Sequence, residues 1–422
     1  MKVFKFLFLA LGVLFVVVAI AAFIFVKTFN VNTYLPQITK AASDALGREV
    51  SIAAAGLDFS WQVIAVDVFD IRVVDPDSGT APRVEVDKVH ARLELMPLLT
   101  RRKIEVSGIV VSGIKVSVDD PQMPLNIQIT NLDARIRDFS LTDPFSVDMD
   151  CAFASRGNNI HVHTDVRLDQ VEKKFTLADL TLRSDLARLD MNAIRAITPA
   201  LAQAPLPEAL AGQVTLKMPF LSAGAKAPAD IKAEGNITLL DGRLEKWNIL
   251  KSVLGRINVI PGLGEQIEAL MSDKLRSKLG GDSTILDKMQ AKFTVDAGQV
   301  FIDDGFVGSP LFEAKAKGTA GFDGTVSVEV SVYVAPDLSA DLTDSIMLLK
   351  GLLDADKRIY VPGRVAGRWP GVSYTPDMGY LGRKIATDEG IQRIGDQLEK
   401  VLDKNPEVKE ILNSVLNGIF KN

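Results

Sequence analysis

The sequence contains only one cysteine, Cys151, and three histidines in 422 residues. A single thiol excludes an internal disulfide framework, so packing and hydrogen bonds must hold the fold together. An excess of basic charge is lacking too, because 53 aspartates and glutamates offset 48 lysines and arginines. Phosphate binding requires a concentrated basic surface, so a chain of net charge -5 is not expected to bind nucleic acid.

A long hydrophobic run is present near the N-terminus, at residues 6–26. It contains neither charge nor proline, and as a helix it would reach about 31 Å, which matches a bilayer core of about 30 Å. A cleaved signal peptide has a shorter apolar core followed by small residues, whereas bulky residues at 23–26 close this run. The run therefore favours a retained transmembrane helix, with a cytoplasmic N-terminus because Lys2 and Lys5 precede it.

Alternation of apolar and polar residues, the period of a β-strand, dominates the rest of the chain. The clearest example lies between Gly324 and Pro336, where five valines share one face. A change of phase across Asp87 and Lys88 suggests a β-bulge. Turn residues separate these segments at spacings typical of antiparallel hairpins. The apolar face of the predicted strands comprises Val84, Val86, Leu93, Leu95, Ile114, Val116, Val118, Val147, Met149, Cys151, Phe153, Ile160, Val162, Val166, Val326, Val328, Val330, Val332 and Val334.

Helical spacing is confined to a few segments. These lie at residues 34–46, 186–210, 247–279, 343–353 and 390–422. The last segment is typical of two amphipathic helices with one apolar stripe. Between residues 50 and 183 there are many half-apolar strands and almost no helix to cover them.

The apolar face of these strands must be shielded from water, and periodicity is equally compatible with two arrangements. One is a second sheet, which gives a β-sandwich or closed barrel with a dry core. The other is a long, curled sheet whose apolar inside stays open as a trough for lipid acyl chains.

Candidate catalytic and metal-binding patterns are weak. Ser112 and Lys115 match an S-x-x-K motif, but that chemistry places the serine at a helix start and here it lies in a strand. His161 and His163 occupy the polar face of one strand, and we interpret them as solvated residues. Cys151 alternates with apolar residues, which indicates a packing role. We therefore expect no catalytic residue, metal or cofactor, and no enzymatic activity.

Several short fragments occur in an order that resembles AsmA-like proteins. The N-terminal fragments lie at residues 34–38, 46–52, 57–61, 93–99 and 104–118. A second series, at residues 298–300, 308–311, 317–322 and 360–377, resembles the C-terminal domain of AsmA-like proteins. Their common order after one N-terminal anchor carries the resemblance.

The resemblance implies a fold that is mainly β with some α. An N-terminal transmembrane helix would be followed by an elongated, curled antiparallel β-sheet that forms an apolar groove, and then by C-terminal amphipathic helices. The implied divisions are an anchor at 1–29, an AsmA-like N-terminal β-groove region at 30–185, a middle region with a helical insert at 186–285, an AsmA-like C-terminal β region at 286–383 and C-terminal amphipathic helices at 384–422.

AsmA-like proteins of Gram-negative envelopes are similar to bridge-like lipid-transfer proteins, in which a β-groove conducts phospholipid between membranes. The resemblance thus implies a single-pass bacterial inner-membrane protein with its bulk in the periplasm. The apolar-face residues would line a groove that holds or conducts phospholipid acyl chains, for lipid transport towards the outer membrane and envelope maintenance. Phospholipid and the inner membrane are the expected partners, and the C-terminal helices would contact the outer membrane or an envelope protein.

An alternative function stays open beside lipid transport. The chain would then be a non-enzymatic scaffold or interaction protein for outer-membrane protein assembly, with a closed β core.

Overall fold

The computed structural model describes residues 35–46, 48–59, 63–74, 83–94, 97, 106–120, 125–140, 142–169, 171–172, 174–204, 206–224, 229–257, 281–369 and 371–385. The predicted transmembrane run at 6–26 and the predicted helices at 390–422 lie outside the described residues. Within the described ranges, no helix combines the length and the apolar character that a membrane span requires.

Sixteen β-strands in the described part of the chain form one antiparallel sheet, in which each strand pairs with the next in sequence. The sheet is long, open and curled, so the expected mainly β architecture is confirmed. The strands are β1 (Glu49–Phe59), β2 (Val63–Val74), β3 (Arg83–Glu94), β4 (Val106–Asp120), β5 (Leu125–Phe139), β6 (Phe145–Phe153), β7 (Ile160–Asp169), β8 (Lys174–Asp185), β9 (Leu210–Ala223), β10 (Lys232–Leu244), β11 (Thr284–Asp296), β12 (Gln299–Gly308), β13 (Phe312–Gly321), β14 (Thr325–Val334), β15 (Tyr360–Arg368) and β16 (Ser373–Pro376).

Short helices lie before the sheet, between its strands and after it. They are α1 (Leu35–Leu46), α2 (Met191–Ala196), α3 (Pro199–Gln203), α4 (Ile249–Leu254), α5 (Pro336–Ser345) and α6 (Met378–Ile385), with 3-10 helices at Leu186–Arg188 and Met347–Leu352. The division of the chain into regions stays a prediction, since one sheet runs through three of those regions.

The helical segments differ in detail from the predicted ones. The segment at 186–210 folds as a 3-10 helix followed by α2 and α3, and the side chain of Asp190 caps α2. The helix predicted at 343–353 is wrong in its bounds, because α5 already begins at Pro336, a favourable first helical residue. Ile346 then interrupts it with extended backbone, which places this buried side chain in the core.

Alternation gives the sheet an inner apolar face and an outer polar face. In β14, Val328, Val332 and Val334 are buried while Glu329 is exposed on the other face. The strand predicted between Gly324 and Pro336 is therefore confirmed. Opposite residues of an antiparallel pair share a face, so the register extends this apolar face from strand to strand.

The inner face changes phase within β3, but the β-bulge predicted there is wrong, because β3 keeps one register with β2 and with β4 across Asp87 and Lys88. Val84 and Val86 are buried before the change, and Val89 and Ala91 are buried after it. The pairing of β3 with β2 keeps one register throughout, because β2 changes phase at the same level, where Asp70 adopts a φ of 50°. Matching phase changes in neighbouring strands keep the apolar face continuous.

Left-handed backbone conformation accompanies the phase change in β2 and in four other strands. Within five strands a residue with positive φ lies where the buried positions are three residues apart instead of two. Aspartate, asparagine and glycine are the residue types that adopt this conformation most readily. The five residues are Asp70, Gly113, Asn131, Asp179 and Asp241. A register shift accompanies all of them except Asp70, as in a β-bulge. Bulges bend a strand and increase its twist, and we infer that they help to curl the sheet.

Gly113 offers a test of this role. Its φ is 70°, its N–H donates to Asp133 at 3.0 Å, and an added Cβ would overlap the carboxylate of Asp87. We expect Gly113→Ala to lower the free energy of unfolding by about 1–2 kcal/mol, because alanine is strained in left-handed backbone. Urea unfolding of the full chain measures this change.

The matched control is Gly157→Ala, since a Cβ at Gly157 would meet no atom within 4 Å and its φ is not positive. This control should stay within about 0.5 kcal/mol of the native chain. Equal effects at both glycines would contradict the role assigned to Gly113.

Candidate functional site

The inner face of β1 to β7 is closed by tight packing. Ile71 and Ile109 are fully buried there, and Ala42 of α1 is buried in the same core cluster. Several residues of the predicted apolar face belong to this cluster or pack against it, so the structure brings them together on one face. They are Val84, Val86, Leu93, Ile114, Val116, Val147, Met149 and Val166.

A second core cluster lies at the C-terminal end of the sheet. Helices α4, α5 and α6 and the 3-10 helix Met347–Leu352 cover the inner face of β10 to β15 near one end of the strands. Val332 and Val334 are buried in this cluster, and Val330 packs against it. Ser339 is fully buried, but it donates to the Val334 carbonyl at 3.1 Å and accepts from the Ile359 N–H at 2.9 Å. The helical cover is therefore firmly attached to the sheet.

A third, smaller cluster lies at the opposite end of the strands. It contains the buried residues Leu221, Ala223, Ile231, Ala233 and Val295. Phe175 of β8 and Val300 of β12 pack against it, so the cluster extends across β8 to β12.

Between these clusters an apolar row crosses the seven strands from β7 to β13, and none of its residues belongs to a core cluster of the described chain. Each member stands directly opposite the next across the sheet. All except Gly305 are only half-buried. At about 4.8 Å per strand the row extends about 29 Å. This central row consists of Val162, Leu182, Leu216, Ile237, Ala291, Gly305 and Ala316.

The surroundings of the central row are uncharged on the inner face. The residues two positions away along the strands share the inner face, and those such as Leu180, Met218 and Phe293 carry no ionisable group. On the outer face the neighbouring positions are polar and exposed, as at Lys217 and Lys292. This arrangement can take up apolar chains on one side of the sheet while the other side stays hydrated.

The remaining predicted residues lie near the central row or outside the described residues. Phe153, Ile160 and Val326 are half-buried and Val328 is buried, whereas Leu95 and the side chain of Val118 are not among those described. The pKa of the Cys151 thiol is raised to about 11, mainly by burial and to a smaller extent by the negative charge of the neighbouring Asp150. This thiol therefore stays protonated near neutral pH and is a poor nucleophile.

Sequence reasoning identified only Val162 among the residues of the central row. Ala291, Gly305 and Ala316 were missed because small side chains give little hydrophobic signal. Leu182 follows the left-handed Asp179, which breaks the strand period. The signal that could have identified Leu182 is a change of phase in the alternation, like the one in β3.

Two leucine-to-alanine substitutions should distinguish the closed packing of the first core cluster from the partly exposed central row. Leu93 is buried in the first cluster, so Leu93→Ala should lower the free energy of unfolding by about 3 kcal/mol. Leu216→Ala should lower it by only about 1 kcal/mol, because Leu216 is half-buried and belongs to no cluster. Urea unfolding compares both variants, and equal losses would show that the central row is packed like a core.

Comparison with known proteins bears on the N-terminal part of the chain. The model of the AsmA family matches residues 1–187, which include β1 to β8 and the first two residues of the central row. No curated protein and no solved structure matches significantly. The AsmA-like resemblance found in the sequence is thereby confirmed over residues 1–187, which match the AsmA family, whereas the resemblance of the later fragments to the C-terminal domain of AsmA-like proteins stays a prediction.

Proposed function

We propose that this protein is anchored in the bacterial inner membrane and holds or conducts phospholipid acyl chains in its curled periplasmic sheet. The central row carries the proposal, because its apolar side chains stay partly exposed on the inner face of a sheet whose outer face is polar. The family match and the long, open antiparallel sheet are compatible with a lipid-transporting β-groove. Transport would run towards the outer membrane and serve envelope maintenance.

The physical basis is the shielding of acyl chains from water. Each methylene removed from water contributes about 0.8 kcal/mol, and the central row supplies an apolar surface for it. Ala291 and Ala316 have small side chains and Gly305 has none, so these positions would obstruct an acyl chain little. The lipid headgroup would stay hydrated at the open edge of the trough, and no covalent step is involved. The protein therefore acts without catalytic residues in this proposal.

The two larger core clusters restrict where lipid would lie. Side chains such as Ile71 and Ile109 are fully packed, so the N-terminal strands provide little room for an acyl chain in this conformation. Helices α4 to α6 likewise occupy the inner face near one end of β10 to β15. Acyl chains would accordingly occupy the stretch from β7 to β13.

A scaffold for outer-membrane protein assembly is the second candidate. The closed packing of β1 to β7 favours it, since a scaffold requires a rigid core and no ligand. In either case the C-terminal residues would contact the outer membrane or an envelope protein. Bound phospholipid separates the two candidates.

Photocrosslinking in cells tests the lipid proposal on the full chain. A photoreactive amino acid in place of Leu216 faces the trough, and the same residue in place of Lys217 lies on the outer face of the same strand. Mass spectrometry of the adducts should find phospholipid attached at position 216 and not at position 217. Absence of lipid at 216, or equal labelling at both positions, would favour the scaffold.

Charge substitutions provide the matched functional measurement. Leu216→Asp places a carboxylate beside the acyl chains, where an unpaired charge is unfavourable, so lipid crosslinking at Val162 should fall severalfold. Lys217→Asp introduces the same side chain on the solvated face and should leave crosslinking unchanged. Limited proteolysis checks that both variants are folded.

The proposed topology has its own test. Because the run at 6–26 is preceded by Lys2 and Lys5, residues beyond it should lie in the periplasm. Alkaline phosphatase fused after Asn422 should be active, and a fluorescent protein that matures only in the cytoplasm should be dark. The reverse pattern would refute the assigned orientation.

A further inference from the structure

Two of the three histidines lie two residues apart on the outer face of β7. The side chain of His161 is 56% exposed and that of His163 is 47% exposed. They stand opposite Asp150 and Asp148 of β6 in the sheet register. Nδ1 of His163 lies 2.6 Å from Oδ1 of Asp148, and Nδ1 of His161 contacts Oδ1 of Asp150 in the same way. Each imidazole is therefore oriented by a carboxylate.

This orientation fixes which ring nitrogen is available. An ionised carboxylate accepts the hydrogen bond, so Nδ1 of a neutral imidazole carries the proton and Nε2 presents its lone pair. No described residue bonds Nε2 of His161 or His163. Arg137 donates to the second oxygen of Asp148, which holds that carboxylate in place.

The same arrangement is typical of metal-binding histidines, whose second nitrogen usually donates to a carboxylate that orients the ring. Alternate residues of a strand are about 7 Å apart on one face, so two imidazoles at this spacing can reach a common ion. Imidazole suits zinc and copper better than magnesium or calcium. The sequence pattern alone indicated solvated residues and no metal, but the carboxylate partner of each ring leads to a different interpretation. We propose that His161 and His163 form an exchangeable site for a borderline divalent transition-metal ion such as Zn²⁺.

The site supplies two protein ligands and leaves further coordination positions open. In the described part of the chain no three candidate ligands gather around one point, and Asp165 is already bonded to Ser146 at 2.6 Å. Water or a ligand from another molecule would complete the coordination, as at open zinc sites. Arg183 of β8 is the register partner of His161, and its positive charge disfavours cation binding. The negative charges of Asp148 and Asp150 favour it. The site lies on the outer face, so it is independent of the proposed lipid function.

The third histidine supplies a matched control. Nδ1 of His90 lies 2.7 Å from Oδ1 of Asp67, so His90 has the same type of carboxylate partner. It has no second histidine beside it on its strand, and its Nε2 accepts from Arg92 at 3.4 Å. His90 therefore shares the pairing but lacks the two-histidine geometry.

Calorimetric titration of the full chain, purified without a histidine tag, with Zn²⁺ tests the proposal. We expect one Zn²⁺ per chain, at least tenfold weaker binding in His161→Ala and in His163→Ala, and unchanged binding in His90→Ala. Asp148→Asn should weaken binding by about tenfold through loss of ring orientation. Mg²⁺ should not compete.

Three outcomes would overturn the site. They are no Zn²⁺ binding by the native chain, unchanged binding when both His161 and His163 are alanine, and equal loss in His90→Ala. Unchanged affinity in Asp148→Asn would overturn the orienting role of the carboxylate. Circular dichroism of each variant verifies that the strands are retained.

Discussion

Antiparallel pairing between consecutive strands provides hydrogen-bond partners for the backbone N–H and C=O groups of the described sheet. This pairing leaves one apolar face that has to be shielded from water. No second sheet lies among the described residues to shield it. The molecule shields it differently along its length, by tight packing in the N-terminal strands and by helices α4 to α6 near the C-terminal end. The central row belongs to the part of this face that neither the N-terminal packing nor the helices cover. Its partial exposure is what distinguishes the candidate site from the cores on both sides.

We infer that curvature of the sheet depends in part on residues that tolerate left-handed backbone. Asp70 in β2 and Gly113 in β4 lie at one level of the N-terminal strands, and Asn131 follows in β5. Each inserts one extra residue between buried positions, so the apolar side chains stay on the inner face while the strand bends. The pairing of β2 with β3 stays in one register through this level, whereas β4 with β5 and β5 with β6 shift register there. The polar side chains that result on the outer face include the paired aspartates and histidines of β6 and β7.

Strict alternation made the strands predictable, and interrupted alternation hid the site. The five valines of β14 have polar neighbours throughout, so both strand and buried face follow from the sequence. In β12 and β13 the inner positions include Gly305 and Ala316, whose small side chains do not mark a face. The break at Ile346 was likewise hidden, because it depends on tertiary packing of a buried side chain. Nothing in the sequence order indicates where two cores end and an uncovered row begins, since that requires contacts between distant segments.

A meander of this kind has a modular architecture. Every strand pairs only with its sequence neighbours, so the topology is built from local hairpins and its contact order is low for a β-protein. Strands can therefore form progressively from one end as the chain emerges, without waiting for a distant partner. Insertion or deletion of one hairpin would lengthen or shorten the sheet by two strands, roughly 10 Å, and leave the rest of the pairing intact. Chain length thus becomes a direct measure of the distance the sheet spans, as in repeat proteins that grow by adding units.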